Sequence, residues 1–188
     1  MSITNKQSNI LNQNIGIAGC GEMGYPMLKM LLQNNINATG HDVKASENFR
    51  DFREKYIASK SDFFLKNDII LSIVRDTKET EDLLIKNNAL LSKKDVTILI
   101  CSTLPITYIK KLKENLPDHF RLIDTPMSGS TIKAKEGTLT FMVGGKNDEV
   151  QNIMPLLNIL GDNILHIGDF VKACQLNYLI TLLLPHQY

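Results

Sequence analysis

The sequence predicts an α/β fold, doubly wound, with a mostly parallel sheet. Two observations carry that expectation. Short runs that are apolar throughout and rich in β-branched residues alternate with stretches of helical period, and a glycine-rich turn follows the first of these runs directly. A strand that is apolar at every position needs cover on both faces, and strands separated by helices pair in parallel. Crossovers of this kind are right-handed.

The elements follow in order. Residues 14–18 (NIGIA) read as a buried strand, and residues 22–34 as a helix with Met23, Met27, Met30, Leu31 and Asn34 on one face. Those methionines read as core packing. Residues 37–42 read as a strand and 46–56 as a helix. DIILSIV (68–74) is a strongly apolar strand bounded by Asn67 and Arg75. Residues 77–86 read as a helix, with Thr77 as cap and Glu79 and Glu81 near its positive start. DVTILIC (95–101) is a further strand, after which Pro105 opens a helix to about Leu116. Residues 120–124 and 139–144 read as strands, and Asn147 caps a helix whose apolar positions are Val150, Ile153, Leu156, Leu157 and Leu160. There is no repeat, low-complexity tract or Pro/Gly/Ser linker. The expected division is a polar tail (1–13), one α/β domain (14–168) and a terminal segment (169–188), with its boundary near Gly168.

The 188 residues are 43% hydrophobic and 22% charged, enough for one domain with its own core. A net charge of +1, with lysine runs no longer than pairs, gives no bulk attraction to nucleic acid or to a membrane surface. Cys20, Cys101 and Cys174 are far apart and lack CxxC spacing, and His41, His119, His166 and His186 show no ligand spacing. Neither a disulfide framework nor a metal site is expected. The first fourteen residues are polar and no run approaches a membrane span, so a cytoplasmic location is expected. Ser130 to Lys133 match SxxK, but the partner motifs of acylating enzymes are absent.

The turn Gly19-Cys20-Gly21-Glu22-Met23-Gly24 fits the GxGxxG fingerprint, with a strand before it and a helix after it. Its first glycine allows the tight turn, the second lets backbone approach a pyrophosphate, and the third lets the helix pack close. These six residues are the expected cofactor-binding segment. An acidic residue is expected roughly twenty positions on, at the end of the second strand. Asp42 stands there. Its carboxylate would accept from both adenine-ribose hydroxyls and repel a 2′-phosphate, which favours NAD over NADP; Lys44 softens that preference. A turn-forming Asp is the alternative reading.

Three segments, GIAGCGEMGYPM (16–27), CSTLP (101–105) and DTPMSGSTIKAKEGTLTFMVGG (124–145), resemble in order and spacing the β-hydroxyacid dehydrogenases. That family includes 3-hydroxyisobutyrate dehydrogenase and tartronate semialdehyde reductase, with the 6-phosphogluconate dehydrogenases more distant. The resemblance spans about residues 14 to 172. It implies a Rossmann-like domain that binds NAD, with NADP as the alternative. It also implies an oxidoreductase that moves a hydride between the nicotinamide and a small β-hydroxyacid or its semialdehyde. By the same resemblance, Ser128 and Gly129 hold the substrate carboxylate, Thr103 lies at the nicotinamide end, and Val74 and Arg75 line the cofactor channel. The family has Leu-Pro where this chain has Val74-Arg75, and a second glycine where it has Ser130.

The family's general base is a lysine on the helix that leaves the domain, usable as a base once burial lowers its pKa. In HIGDFVKACQLNYLI the candidate is Lys172, with Asn177 as its companion, if a short deletion is allowed; without gaps from Gly168, Cys174 takes the lysine's place. Family members continue into an all-helical domain, for which this chain has no room. Two alternatives to the enzyme therefore stand: a truncated dinucleotide-binding module with little or no activity, and a subunit that borrows its helical half from another chain. The apolar LITLLLPHQY would then pack on the domain or on a second copy, as a homodimer.

Overall fold

The computed structural model describes residues 10–44, 49, 51–86 and 95–183. β1 (Ile15–Ala18) leads into α1 (Gly24–Gln33) and β2 (Ala38–His41). A 3-10 helix (Arg53–Lys55), α2 (Lys60–Lys66), β3 (Ile69–Ser72), α3 (Thr77–Leu84) and β4 (Val96–Ile100) follow. Then come α4 (Ile106–Asn115), β5 (Phe120–Asp124), β6 (Met127–Ser128) and α5 (Thr131–Glu136). β7 (Leu139–Gly144), α6 (Asn147–Leu160), β8 (Gly161–Gly168) and α7 (Lys172–Leu183) complete the order.

The 8-stranded sheet runs β2-β1-β3-β4-β5-β7-β6, with β8 paired to β7. β1 through β5 are mutually parallel; β7 runs antiparallel to β5 and β6 and parallel to β8. The apolar strands behave as a two-sided sheet requires. Ile15, Ile17, Ile69, Leu71 and Leu99 enter one core with Met27, Leu28 and Leu31 of α1 and Leu156, Leu157 and Leu160 of α6. Their neighbours Ala18, Ile70, Ile98 and Ile100 enter the other, with Phe63 and Phe64 of α2, Leu83 and Leu84 of α3, and Ile109 and Leu112 of α4. Met23 and Met30 pack against the first core beside buried Met27.

Three expectations need correction. The helix expected over 46–56 is not formed at its described end: residues 53–55 make a 3-10 helix, and Tyr56 bridges Gly40 in parallel. Residues 45–48 and 50 lie outside the described residues. Phe49 lies instead in the core, its ring 4.6 Å from Tyr56 and 5.8 Å from Tyr25. The cap of α3 is Asp76, whose side chain accepts from Glu79 N–H; Thr77 is the first helical residue. Lys146, with no side-chain bond, occupies the cap of α6, and Asn147 begins the helix. Among elements not anticipated, α2 is capped by the Ser59 hydroxyl and α5 ends on Gly137 in the left-handed conformation (φ 68°).

Residues Tyr178, Leu179, Leu182 and Leu183 of α7 are exposed, while Ala173, Cys174 and Asn177 face inward. Among the described residues no helix is long and apolar enough to cross a membrane, and no cluster of His, Cys, Asp and Glu is placed to hold a metal.

Candidate functional site

β1 lies between β2 and β3, so the connections that leave β1 for β2 and β3 for β4 diverge above the carboxyl ends of β1 and β3. Such a switch point is where open parallel sheets hold ligands. The glycine turn occupies it. Gly19 has φ +94°, and its N–H donates to the His41 carbonyl at 2.9 Å. A Cβ at Gly19 would strike the Ile73 carbonyl, and one at Gly24 would strike the carbonyl of Gly19, so these two glycines fix the turn and seat α1 on it. Gly21 differs: a Cβ there would meet nothing within 4 Å. Its backbone is exposed at the mouth of the turn. The start of α1 carries neither an acidic side chain in its first turn nor a side-chain cap. Open backbone beside an unneutralised helix start fits the pyrophosphate of a dinucleotide.

The other members of the turn divide. Glu22 is exposed and Met23 half-buried. Cys20 has no exposed surface; its thiol donates to the Ile17 carbonyl at 3.4 Å and lies 2.7 Å from where a Gly40 Cβ would stand. Burial pushes that thiol far up from its ordinary pKa. The Cys20 side chain is therefore packing beneath the turn, and its backbone alone is left to meet a cofactor.

Asp42 directly follows β2, half-buried. Its Oδ1 accepts from the Lys44 N–H at 2.8 Å, so the turn-forming reading is realised at the position the cofactor reading requires. Past β3, the Ser102 hydroxyl donates to the Val74 carbonyl. Arg75 is exposed and bound to Glu79: Nε donates to Oε1 at 2.9 Å, Nη2 to the same oxygen, and the Arg75 N–H to Oε2 at 2.9 Å. Those hydrogen bonds hold the Glu79 carboxyl below the ordinary carboxylate range and raise the guanidinium pKa. The sequence offered Glu79 only as a helix-start residue; the i,i+4 spacing to Arg75 was the available signal.

A second polar region lies above β4 and β5, under α7. Asn177 Nδ2 donates to Thr103 Oγ1 at 2.5 Å, which brings together two residues separated by 74 positions. The Cys174 N–H donates to Asp124 Oδ2 at 2.8 Å, and the Cys174 thiol donates to the Ser102 carbonyl at 3.5 Å. Asp124 is thus an N-terminal anchor for α7, supplied by the end of β5. Burial raises its pKa, against the lowering effect of the bonds from Cys174, Ala173 and Val171. Asp124 Oδ1, Asn177 Oδ1 and Ser72 Oγ have no protein partner among the described residues. The sequence reading gave Asp124 no role, although a carboxylate that ends an apolar strand is a signal in itself.

Lys172 stands outside this region. It is the first residue of α7, exposed, and its N–H bonds to the Asp169 carbonyl at 3.1 Å. Asn177 lies on a different face of α7, since five residues turn the helix by about 140° from the starting face. Cys174, which takes the lysine's place in the ungapped reading, is fully buried in the junction. Ser128 and Gly129 lie toward the other end of the sheet. Ser128 pairs with Thr140 across β6 and β7. Gly129 has φ +144°, and a Cβ there would meet Leu139 Cδ2 at 2.8 Å, so only glycine suits it. Ser130 is exposed at the start of α5.

Residues 14–168 match the family model for the NAD binding domain of 6-phosphogluconate dehydrogenase. The chain belongs to that family. It is 30% identical over 159 residues to human mitochondrial 3-hydroxyisobutyrate dehydrogenase, which covers 82% of this chain and 47% of the human one. It is 29% identical over 182 residues to the NAD-dependent L-serine dehydrogenase of Pseudomonas aeruginosa, covering 92% of this chain and 61% of the relative. The fold matches Mycobacterium tuberculosis 3-hydroxyisobutyrate dehydrogenase, solved with L-serine, at a TM-score of 0.84 and 20% identity, over 92% of this chain and 60% of that one. The chain therefore spans about half to three fifths of the length of these relatives.

Proposed function

We propose that this chain is the nicotinamide-dinucleotide-binding part of a β-hydroxyacid dehydrogenase, with NAD preferred. The observation that carries the reading is the division of labour at the turn: Gly19 and Gly24 are locked by contact while Gly21 is open. Open backbone at that one position serves a ligand and no packing need. The bound nicotinamide supplies the hydride acceptor or donor. The chain's own residues do the rest. Gly21, Glu22 and Met23 present backbone at the start of α1, Asp42 accepts from the ribose hydroxyls with the oxygen not committed to Lys44, and Val74 and Arg75 wall the groove. Thr103, held by Asn177, marks the nicotinamide end. Ser128 and Gly129 supply a hydroxyl and an N–H to a small carboxylate.

Lys172 is the proposed base only if something withdraws it from water. A lysine accepts the hydroxyl proton when burial lowers its pKa, and here it is exposed. The second reading, a dinucleotide-binding module with little turnover, is favoured by that exposure for the chain alone. We also propose a homodimer as the cover for the exposed apolar face of α7. Sedimentation velocity then finds dimers for the wild type and monomers for Leu182→Glu; monomers throughout remove the proposal.

Titration of NADH and NADPH against the wild type and Asp42→Ala tests the cofactor assignment. The wild type binds NADH more tightly, and the substitution weakens NADH by on the order of tenfold, one charged hydrogen bond's worth. Equal or tighter NADPH binding by the wild type overturns it. A dehydrogenase assay over small β-hydroxyacids, with Lys172→Ala alongside, tests the base. Weak turnover that survives the substitution fits the module; robust turnover lost on substitution shows Lys172 already in place.

A further inference from the structure

We infer that Glu79 is a specificity-determining residue: by holding Arg75 in an ion pair at the mouth of the groove, it withholds that cation from a 2′-phosphorylated dinucleotide. The inference rests on the cofactor reading above and deepens it. Arg75 lies just past β3 and Asp42 just past β2, on the two strands that flank β1 and its glycine turn. Asp42 and Asp76 act electrostatically on Arg75, and Lys44 on Glu79, so these five charged groups form one cluster at the carboxyl ends of the strands.

The guanidinium fork matches a phosphate as well as it matches a carboxylate. Here its Nε and Nη2 are both directed at Glu79 Oε1, and the second carboxylate oxygen is tied to the Arg75 backbone. Glu79 is fixed in turn, because its N–H donates to the capping Asp76 Oδ1 at 2.8 Å. The Arg75 side chain is 75% exposed. A pair so placed adds little to fold stability. Its consequence is to settle the charge and direction of the guanidinium. With the pair closed, the carboxylates of Asp42, Asp76 and Glu79 face the ammonium and guanidinium of Lys44 and Arg75, an excess of negative charge. A dianionic 2′-phosphate entering there meets repulsion and a guanidinium whose Nε–Nη2 edge is already taken. Neutralising Glu79 balances the cluster and releases Arg75.

The experiment measures dissociation constants of NADH and NADPH at low ionic strength for the wild type, Glu79→Gln, Glu79→Ala and Glu79→Gln/Arg75→Gln, with thermal melting to confirm folding. Both single variants tighten NADPH by roughly three- to tenfold, the scale of an exposed charge pair, and leave NADH within about twofold. The double variant loses the gain, and added salt erodes it in the singles. A purely structural role for Glu79 would shift both dinucleotides together. Parallel shifts, no shift, or a gain that survives loss of Arg75 overturn the inference while leaving the cofactor assignment intact. Failure of the wild type to bind NADH at all overturns both.

Discussion

Above β1, β2 and β3 the strand ends are open, carrying a bare glycine turn and charged side chains that reach solvent. Above β4 and β5 they are closed, because α7 lies across them and buries Asp124, Thr125, Cys174 and Asn177. In the open half the charged side chains pair with near neighbours in sequence, Arg75 with Glu79 and Asp42 with the Lys44 N–H. The closed half depends on partners 50 and 74 residues apart. In the open half, the charged side chains are paired locally and binding capacity is left over. In the closed half, polar groups are taken from water to seat a helix, so an error there is charged against folding.

The largest effect that sharpens this contrast comes from Asp124. Asp124→Ala removes the acceptor of the Cys174 N–H in a buried setting and is expected to cost about 3 kcal/mol of unfolding free energy, read by denaturant titration. A loss below about 0.5 kcal/mol would mean that α7 is seated without it. The pH dependence has a definite sign. Burial raises the Asp124 pKa, so the folded chain holds that proton more tightly than the unfolded one. This contribution is complete below the ordinary Asp value and is lost as pH rises through the raised one. In Asp124→Asn that decline disappears from the stability profile.

An intermediate effect separates two glycines of one turn. Gly24→Ala drives a Cβ into the Gly19 carbonyl and is expected to destabilise by about 2 kcal/mol, lowering the melting temperature. Gly21→Ala meets open space, keeps its melting temperature, and weakens NADH by about tenfold or more. If Gly21→Ala binds NADH normally, the open half is not a pyrophosphate cradle.

The smallest effect belongs to Asn177→Ala, which removes the bond to Thr103. Roughly 1 kcal/mol is expected, with NADH affinity little changed. A loss of NADH binding larger than the loss of stability would show that Thr103 needs Asn177 to serve the nicotinamide end.

Most of the open half was legible because its signals are local. Alternation of apolar strands with helices, three glycines at fixed spacing and an acidic residue after β2 all act within short stretches of chain. The misreadings have local causes too. Phe49 and Phe52 lie at helical spacing, but Phe49 is drawn into the core between Tyr25 and Tyr56, and residues 53–55 form a 3-10 helix. Thr77 reads as the cap from sequence alone, but Asp76 beside it has the extended backbone and takes the place. The seven-residue α2 was too short for periodicity, although Ser59 and Asp62 mark its start. The closed half was opaque for a different reason. The resemblance with a short deletion points to Lys172 and the ungapped spacing to Cys174, and it is the seating of α7 on Asp124, a long-range contact, that turns Cys174 inward and leaves Lys172 exposed.

The three thiols are distributed so that each sits behind a different barrier: Cys20 below the glycine turn, Cys101 at the end of β4, and Cys174 under α7. All are buried, so an alkylating reagent has to wait for an opening of the chain. Their labelling rates in native buffer, resolved by peptide mass spectrometry, therefore form an internal clock for three separate breathing motions. If the terminal helix lifts away independently, Cys174 is modified while Cys20 and Cys101 remain protected; if the molecule opens only as a unit, all three are modified in step.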